Sequence, residues 1–180
     1  MSSTNSNIIR VLDIVYGTSV DGVGLRTSVY CAGCENHCEG CHNPQSWALD
    51  GGRDMTVEEI FARIEEAGMN VTFSGGDPML RPEGFTTLAR MIKEHTSKTI
   101  WCYTGYLFEN LLTDPARRAL LDTIDVLVDG RFVLAERDLT LLFRGSRNQR
   151  IIDVPRSIAS GKTVLLAPET CAVETRIGKH

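Results

Sequence analysis

Cys34, Cys38 and Cys41 stand at C-x3-C-x2-C spacing within the short stretch CENHCEGC. So close a spacing lets three thiolates converge on one face of a compact metallic object. A structural zinc site or an electron-carrying cluster normally closes with four ligands, whereas an incomplete set leaves one metal position open to a substrate. The pattern therefore points to chemistry at an open metal position. Cys31 adds a C-x2-C with Cys34, to be read as a zinc knuckle or as a buried thiol at a strand end; the second is favoured because free cysteine is among the most buried residue types. Cys102 and Cys171 read as core or incidental thiols, and His37 and His42 as loop histidines with only a minor claim to ligation. Disulfides are the competing reading of six cysteines. Four of them crowd into the eleven residues 31–41, however, and the start MSSTNSN has no signal-peptide pattern, so reduced, metal-binding thiols are expected.

A second motif, Ser74-Gly75-Gly76-Asp77-Pro78, offers two glycines that permit close backbone approach to a ligand and a carboxylate able to accept hydrogen bonds from an ammonium group. Alone it is only a turn. Asp21-Gly22-Val23-Gly24-Leu25-Arg26 reads equally as a functional loop or as a hairpin-like glycine turn, with Arg26 facing either an active site or the surface. Thr104, Asp129 and Asn148 place hydrogen-bonding groups near expected strand ends, with a solvated loop as the competing reading of each.

The elements that must carry these residues alternate. Arg26 to Cys31 (RTSVYC) is β-branched and aromatic, a strand that delivers the chain into the cysteine loop. Thr56 and Glu59 form a capping box ahead of Val57, Ile60, Phe61 and Ile64, which repeat at helical spacing until Gly68. Val71 to Phe73 forms a strand running into the Gly-Gly-Asp loop, and Phe85, Leu88, Ala89 and Ile92 form the next helix. Thr99 to Tyr103 is a strand, Asp114-Pro115 a helix start, and Ile124 to Val128 a buried strand. Such alternation implies βαβ units and a mainly parallel sheet with polar sites at the strands' carboxyl ends, so the cysteine loop and Gly-Gly-Asp should share one edge. A complete eight-fold barrel needs roughly 250 residues. A chain of 180 residues is therefore expected to form an α/β partial, open (β/α) barrel, as one domain over 1–180 with its core at about 9–155. Residues 1–7 form a polar tail, and 157–180 are weakly patterned.

Composition narrows the function. A formal charge of −4 without a long basic run gives no case for nucleic acid, and no apolar run is long enough for a membrane span, so a soluble, cytoplasmic protein is expected.

With these motifs the chain resembles the radical S-adenosylmethionine superfamily, and within it the activases of glycyl-radical enzymes. These commonly read C-x-x-x-C-x-G-C, then an aromatic residue or histidine, then Asn; CENHCEGCHN matches and continues into Trp47. The superfamily often has an aromatic residue just before the third cysteine, where this chain has Gly40. Gly75, Gly76 and Asp77 match the family's Gly-Gly-Glu or Gly-Gly-Asp, and Asp21 to Arg26 is similar to its D-G-P-G-x-R element with Val23 in place of proline. The stretches at Tyr103–Tyr106, Val128–Phe132 and Arg144–Gln149 (RGSRNQ) resemble activases of anaerobic ribonucleotide reductase, extending the likeness over Ile9 to Ile152.

The resemblance implies a [4Fe-4S] cluster on Cys34, Cys38 and Cys41, with S-adenosyl-L-methionine at the fourth iron and Gly75, Gly76, Asp77, Asn43 and Thr104 as cofactor-binding positions. It implies a reduced cluster that cleaves the sulfonium to methionine and a 5'-deoxyadenosyl radical, which takes hydrogen from a glycine of a large partner. That partner would be the anaerobic ribonucleoside-triphosphate reductase, and the electron would come from a low-potential reductant such as flavodoxin. Little chain remains to build a lid, which suits a protein substrate. The alternatives are an activase of pyruvate formate-lyase or another small radical enzyme, and a non-catalytic iron-sulfur or zinc module, which would leave Gly-Gly-Asp without a purpose.

Overall fold

The computed structural model describes residues 6–166, so Cys171 lies outside the described residues. Seven strands form one sheet: β1 (Ile8–Thr18), β2 (Arg26–Cys31), β3 (Arg53–Thr56), β4 (Asn70–Gly75), β5 (Ile100–Tyr103), β6 (Val126–Asp129) and β7 (Arg150–Asp153). Their spatial order is β3-β1-β2-β4-β5-β6-β7, with the run β2-β4-β5-β6 parallel and β1, β3 and β7 antiparallel to their neighbours. The sheet is open at β3 and β7, a partial (β/α) barrel as expected.

Helices α1 (Val57–Ala67), α2 (Pro82–His95) and α4 (Pro115–Leu121) connect the parallel strands, together with the single turn α3 (Phe108–Leu111). The capping box of α1 is formed: Glu59 N–H donates to Thr56 Oγ1 at 3.2 Å, and Thr56 N–H donates to the Glu59 carboxylate at 2.8 Å. Gly68 ends the helix at φ 68°, a left-handed conformation that costs other residues energy. Asp114 caps α4 through Ala116 N and Arg117 N, with Pro115 at the first helical position. These helices bury Ile60, Ile64, Leu88, Ile92 and Leu120 against one face of the sheet, meeting Val29, Phe73, Ile100, Cys102 and Leu127.

Two features lie beyond the sequence reading, and one expectation needs correction. β1 is a strand the sequence reading passes over; it pairs antiparallel with β2, and residues 19–25 between them form a hairpin turn, one of the two readings of the glycine stretch. Helix α5 (Val154–Ser160), capped by Asp153 and Gly161, runs into the weakly patterned stretch, and Leu165 bridges Ile152. Arg26 faces neither an active site nor the surface. It is 1% exposed on the sheet's other face, where Nε donates to Thr72 Oγ1 (2.8 Å), Nη1 to Val23 O (2.9 Å) and Nη2 to Val71 O (2.6 Å) and Thr99 O (3.0 Å), with its carbon 5.5 Å from the Trp101 ring centre. A planar fork of donors serves acceptors that a lysine ammonium, with three donors on one point, cannot all reach. Arg26→Lys is therefore expected to cost about 3 kcal/mol through orphaned carbonyls and a buried charge in the wrong place. The urea midpoint measures this, and a change under about 0.5 kcal/mol, the size of an ordinary surface substitution, would contradict it.

Register positions the two motifs. Cys31 of β2 lies opposite Gly75 of β4, so both chains leave the sheet side by side at its carboxyl edge.

Candidate active site

Beyond Cys31 the chain runs alongside the Gly-Gly-Asp loop, and the two are sewn together by backbone bonds: Gly76 N to Cys31 O (2.7 Å) and Asp77 N to Gly33 O (2.8 Å). Both glycines are required by this contact. A Cβ at Gly75, whose φ is 104°, would stand 2.4 Å from Cys31 N, and one at Gly76 would stand 2.2 Å from Gly33 O. The close approach expected toward a ligand is thus first an approach to the cysteine loop itself. The Ser46 hydroxyl adds a third tie, lying 2.6 Å from Asn43 O and 3.0 Å from Gly75 O.

Cys34, Cys38, Cys41, Asn43, Gly75, Gly76, Asp77 and Thr104 all line one cavity of about 470 Å³, whereas Asp129 and Asn148 are not among its lining residues. The thiols are free. Cys31 is buried in the helix-side core, 4% exposed, and does not line this cavity; burial pushes its thiol far above the ordinary range, as it does for Cys102. Cys31 instead borders a separate cavity of about 560 Å³ between the start of β1 and α2, which holds none of the other three loop cysteines. Gly40 has φ 74°, and where the superfamily often has an aromatic residue, a Cβ would meet Leu134 at 2.9 Å and Phe132 at 3.4 Å. The apolar wall beside the third cysteine therefore comes from the segment after β6.

Asp77 is 3% exposed, and its carboxylate accepts from Met79 N (3.0 Å), Thr104 Oγ1 (2.8 Å), Gly105 N (3.0 Å) and Asn36 Nδ2 (3.1 Å). Burial pushes its pKa up and these four donors pull it back, leaving it raised. Four bonds fill the capacity of a carboxylate. Asp77 thus ties β4's loop to β5's exit, and the Thr104 hydroxyl is spent on it while accepting from Tyr106 N (3.1 Å). Asn43 turns its backbone N–H toward Cys41 Sγ at 3.4 Å. Asp129 receives Phe108 N and Arg150, and Asn148 braces Ser146 and Arg131 O, so both hold loops at the cavity's rim.

Asn36, Arg131 and Arg144 also line the cavity, and the sequence reading gives none of them a role. Asn36 Nδ2 lies 3.5 Å from Cys34 Sγ, and Arg131 Nε donates to Asn36 Oδ1 at 2.9 Å. Arg144 Nη1 donates to Gln149 O at 2.7 Å. Among the described residues neither arginine is paired with a carboxylate. Both stood in recognised stretches, but nothing in a linear sequence says that they share a cavity with the cysteines. Burial raises the Cys34 thiol, while hydrogen bonds from Asn36 lower it.

Three cysteines lining one cavity, with N–H donors aimed at two of their sulfurs, suit an iron-sulfur cluster. Among the described residues no three His, Cys, Asp or Glu side chains gather tightly enough for a single metal ion. The family model that matches residues 20–152 is the 4Fe-4S single cluster domain. The anaerobic ribonucleoside-triphosphate reductase-activating protein of Haemophilus influenzae is 38% identical over 144 residues, 73% of this chain and 90% of that one. This chain belongs to that family. The activating protein of Escherichia coli K12 agrees, at 34% identity over 72% of this chain and 89% of its own. The pyruvate formate-lyase-activating enzyme of Clostridium pasteurianum is 37% identical, but over only 51% of this chain and 41% of its own. Membership makes the chain an enzyme of the radical S-adenosylmethionine superfamily that carries an iron-sulfur cluster. The structure of QueE from Escherichia coli overlaps 54% of this chain and 52% of that one at TM-score 0.43 and 15% identity, too slight a likeness to argue from. No helix among the described residues is long and apolar enough to cross a membrane.

At the rim, Arg150 reaches both Asp129 and Glu109, the latter at 3.0 and 2.8 Å. The Arg150 guanidinium holds the Glu109 carboxyl down at about 2 against an ordinary 4.5. A depressed carboxylate stabilises the fold above its unfolded pKa and loses that contribution as pH falls through the folded one. Glu109→Gln is therefore expected to lower the urea midpoint at pH 7, with the gap to wild type closing between pH 5 and 2. A gap that stays constant over that range would contradict the assignment.

Proposed function

We propose that this enzyme reductively cleaves S-adenosyl-L-methionine at a [4Fe-4S] cluster, the 5'-deoxyadenosyl radical so formed taking a hydrogen atom from a glycine of anaerobic ribonucleoside-triphosphate reductase. The observation that carries this reading is the convergence of the C-x3-C-x2-C thiols and the Gly-Gly-Asp loop on one cavity at the strands' carboxyl edge. Its volume of about 470 Å³ is in the range of small-molecule sites.

Within it Cys34, Cys38 and Cys41 hold the cluster and leave one metal position for the substrate. Arg131 and Arg144, lining the cavity without a carboxylate partner among the described residues, suit the methionyl carboxylate. Tyr103, Phe132 and Phe143 give the apolar surface an adenine ring needs. Asp77, Thr104 and Asn43 serve by holding the loops, since their hydrogen-bonding groups already work there, and Gly75 and Gly76 keep the two loops in contact. A low-potential donor of the flavodoxin kind and a cytoplasmic setting fit an open, oxidisable cluster.

The choice of partner rests on the relatives' names and coverage, and the pyruvate formate-lyase reading is the competitor. Mixing the reduced, cofactor-loaded enzyme with each partner in turn and recording electron paramagnetic resonance separates them. A glycyl doublet on the reductase is expected; a doublet on the lyase alone would reassign the partner.

A further inference from the structure

Asn36 is a junction that the proposed chemistry leaves without a role. Its side-chain amide touches three parts of the site at once: Nδ2 lies 3.5 Å from Cys34 Sγ and 3.1 Å from Asp77 Oδ2, and Oδ1 lies 2.9 Å from Arg131 Nε. The amide's orientation is determined chemically. An arginine has only donors, so the atom facing Arg131 must be the oxygen, and the N–H pair must face Cys34 and Asp77. The surroundings are shaped to it as well, because a Cβ on Gly105 would come within 2.3 Å of Nδ2. The Arg131 cation behind Oδ1 polarises the amide and strengthens its N–H groups as donors.

We propose that Asn36 is a positioning residue that raises the reduction potential of the cluster through its Nδ2–H···Sγ bond to Cys34. This rests on the reading of the loop as a [4Fe-4S] site. Reduction adds negative charge that is shared by the thiolate sulfurs, so a donor aimed at a sulfur binds the reduced form more strongly than the oxidised form and favours reduction. Cys41 receives its N–H from the backbone of Asn43, which any residue would supply, whereas the bond to Cys34 depends on this side chain. Substitution at Asn36 removes this side-chain bond and leaves the backbone bond at Cys41, so a variant isolates the side chain's part.

The test is a redox titration of the reconstituted wild type and Asn36→Ala, without S-adenosylmethionine or partner, following the reduced cluster by electron paramagnetic resonance. At a fixed ambient potential the ratio of reduced to oxidised cluster is expected to fall about tenfold in the variant, the size of one lost charge-assisted hydrogen bond. A ratio within twofold of wild type in the loaded fraction would overturn the proposal, including where iron content has dropped, since that pattern marks a purely structural role. Should the variant load no cluster, wild type labelled with 15N at asparagine Nδ2 decides. Pulsed resonance on its reduced cluster is expected to detect a nitrogen coupling, and its absence would overturn the bond. Because no cofactor cleavage is read, failure here leaves the proposed function standing, and failure of cleavage leaves this result interpretable.

Discussion

Gly76→Ala is expected to destabilise the protein by about 3 kcal/mol, the upper range for overpacking a close contact. It should also lower activity on the order of 100-fold, the effect of moving reacting groups by about 1 Å. The new Cβ would stand 2.2 Å from Gly33 O and 2.7 Å from Gly33 C, and backbone cannot swing away as the tip of a side chain can. Relief requires the two loops to part, breaking the bonds from Gly76 N to Cys31 O and from Asp77 N to Gly33 O. The cysteines would then be displaced relative to the Gly-Gly-Asp loop, which is the juxtaposition the chemistry needs. The urea midpoint and the rate of 5'-deoxyadenosine formation by the reconstituted enzyme report the two consequences separately. Wild-type values for both would show that the loops are not held as described.

Replacing Cys34, Cys38 or Cys41 singly by serine is expected to lower cluster retention by more than about 100-fold, exceeding the loss caused by removing an outer-shell partner. Cys31→Ala is expected to retain the full iron content. The contrast follows from placement: the three thiols line the cavity, while Cys31 packs in the core beneath the helices. Iron and sulfide analysis after anaerobic reconstitution measures it. Iron lost from the Cys31 variant, and kept in any of the other three, would redraw the ligand set.

Much of this arrangement was legible in the sequence because it depends on short-range rules. The capping box at Thr56, the Asp114-Pro115 helix start and the β-branched run before Cys31 each announce their element locally. β1 did not, though it is rich in β-branched residues. Its pairing with β2 shifts register between Val11 and Asp13 and again between Val15 and Thr18, which breaks the alternation that marks a half-buried strand. The site's residue types were readable because ligand spacing is a local property, but their working roles were not. Asp77 reads in the sequence as an acceptor for an ammonium group; that its carboxylate takes four donors from three separate segments is not readable there. Asn36 and Arg131 are 95 positions apart, and only the parallel stacking of strands brings them to one amide. Arg26 could not be placed because its burial depends on carbonyls and hydroxyls from residues up to 73 positions away.

The most direct test of the central claim is anaerobic assay of 5'-deoxyadenosine from the reconstituted, dithionite-reduced enzyme given S-adenosylmethionine, with and without the anaerobic reductase. Formation of 5'-deoxyadenosine, accompanied by a glycyl radical when the reductase is present, is the predicted result. A fully loaded and reduced cluster that yields no 5'-deoxyadenosine under either condition would contradict it.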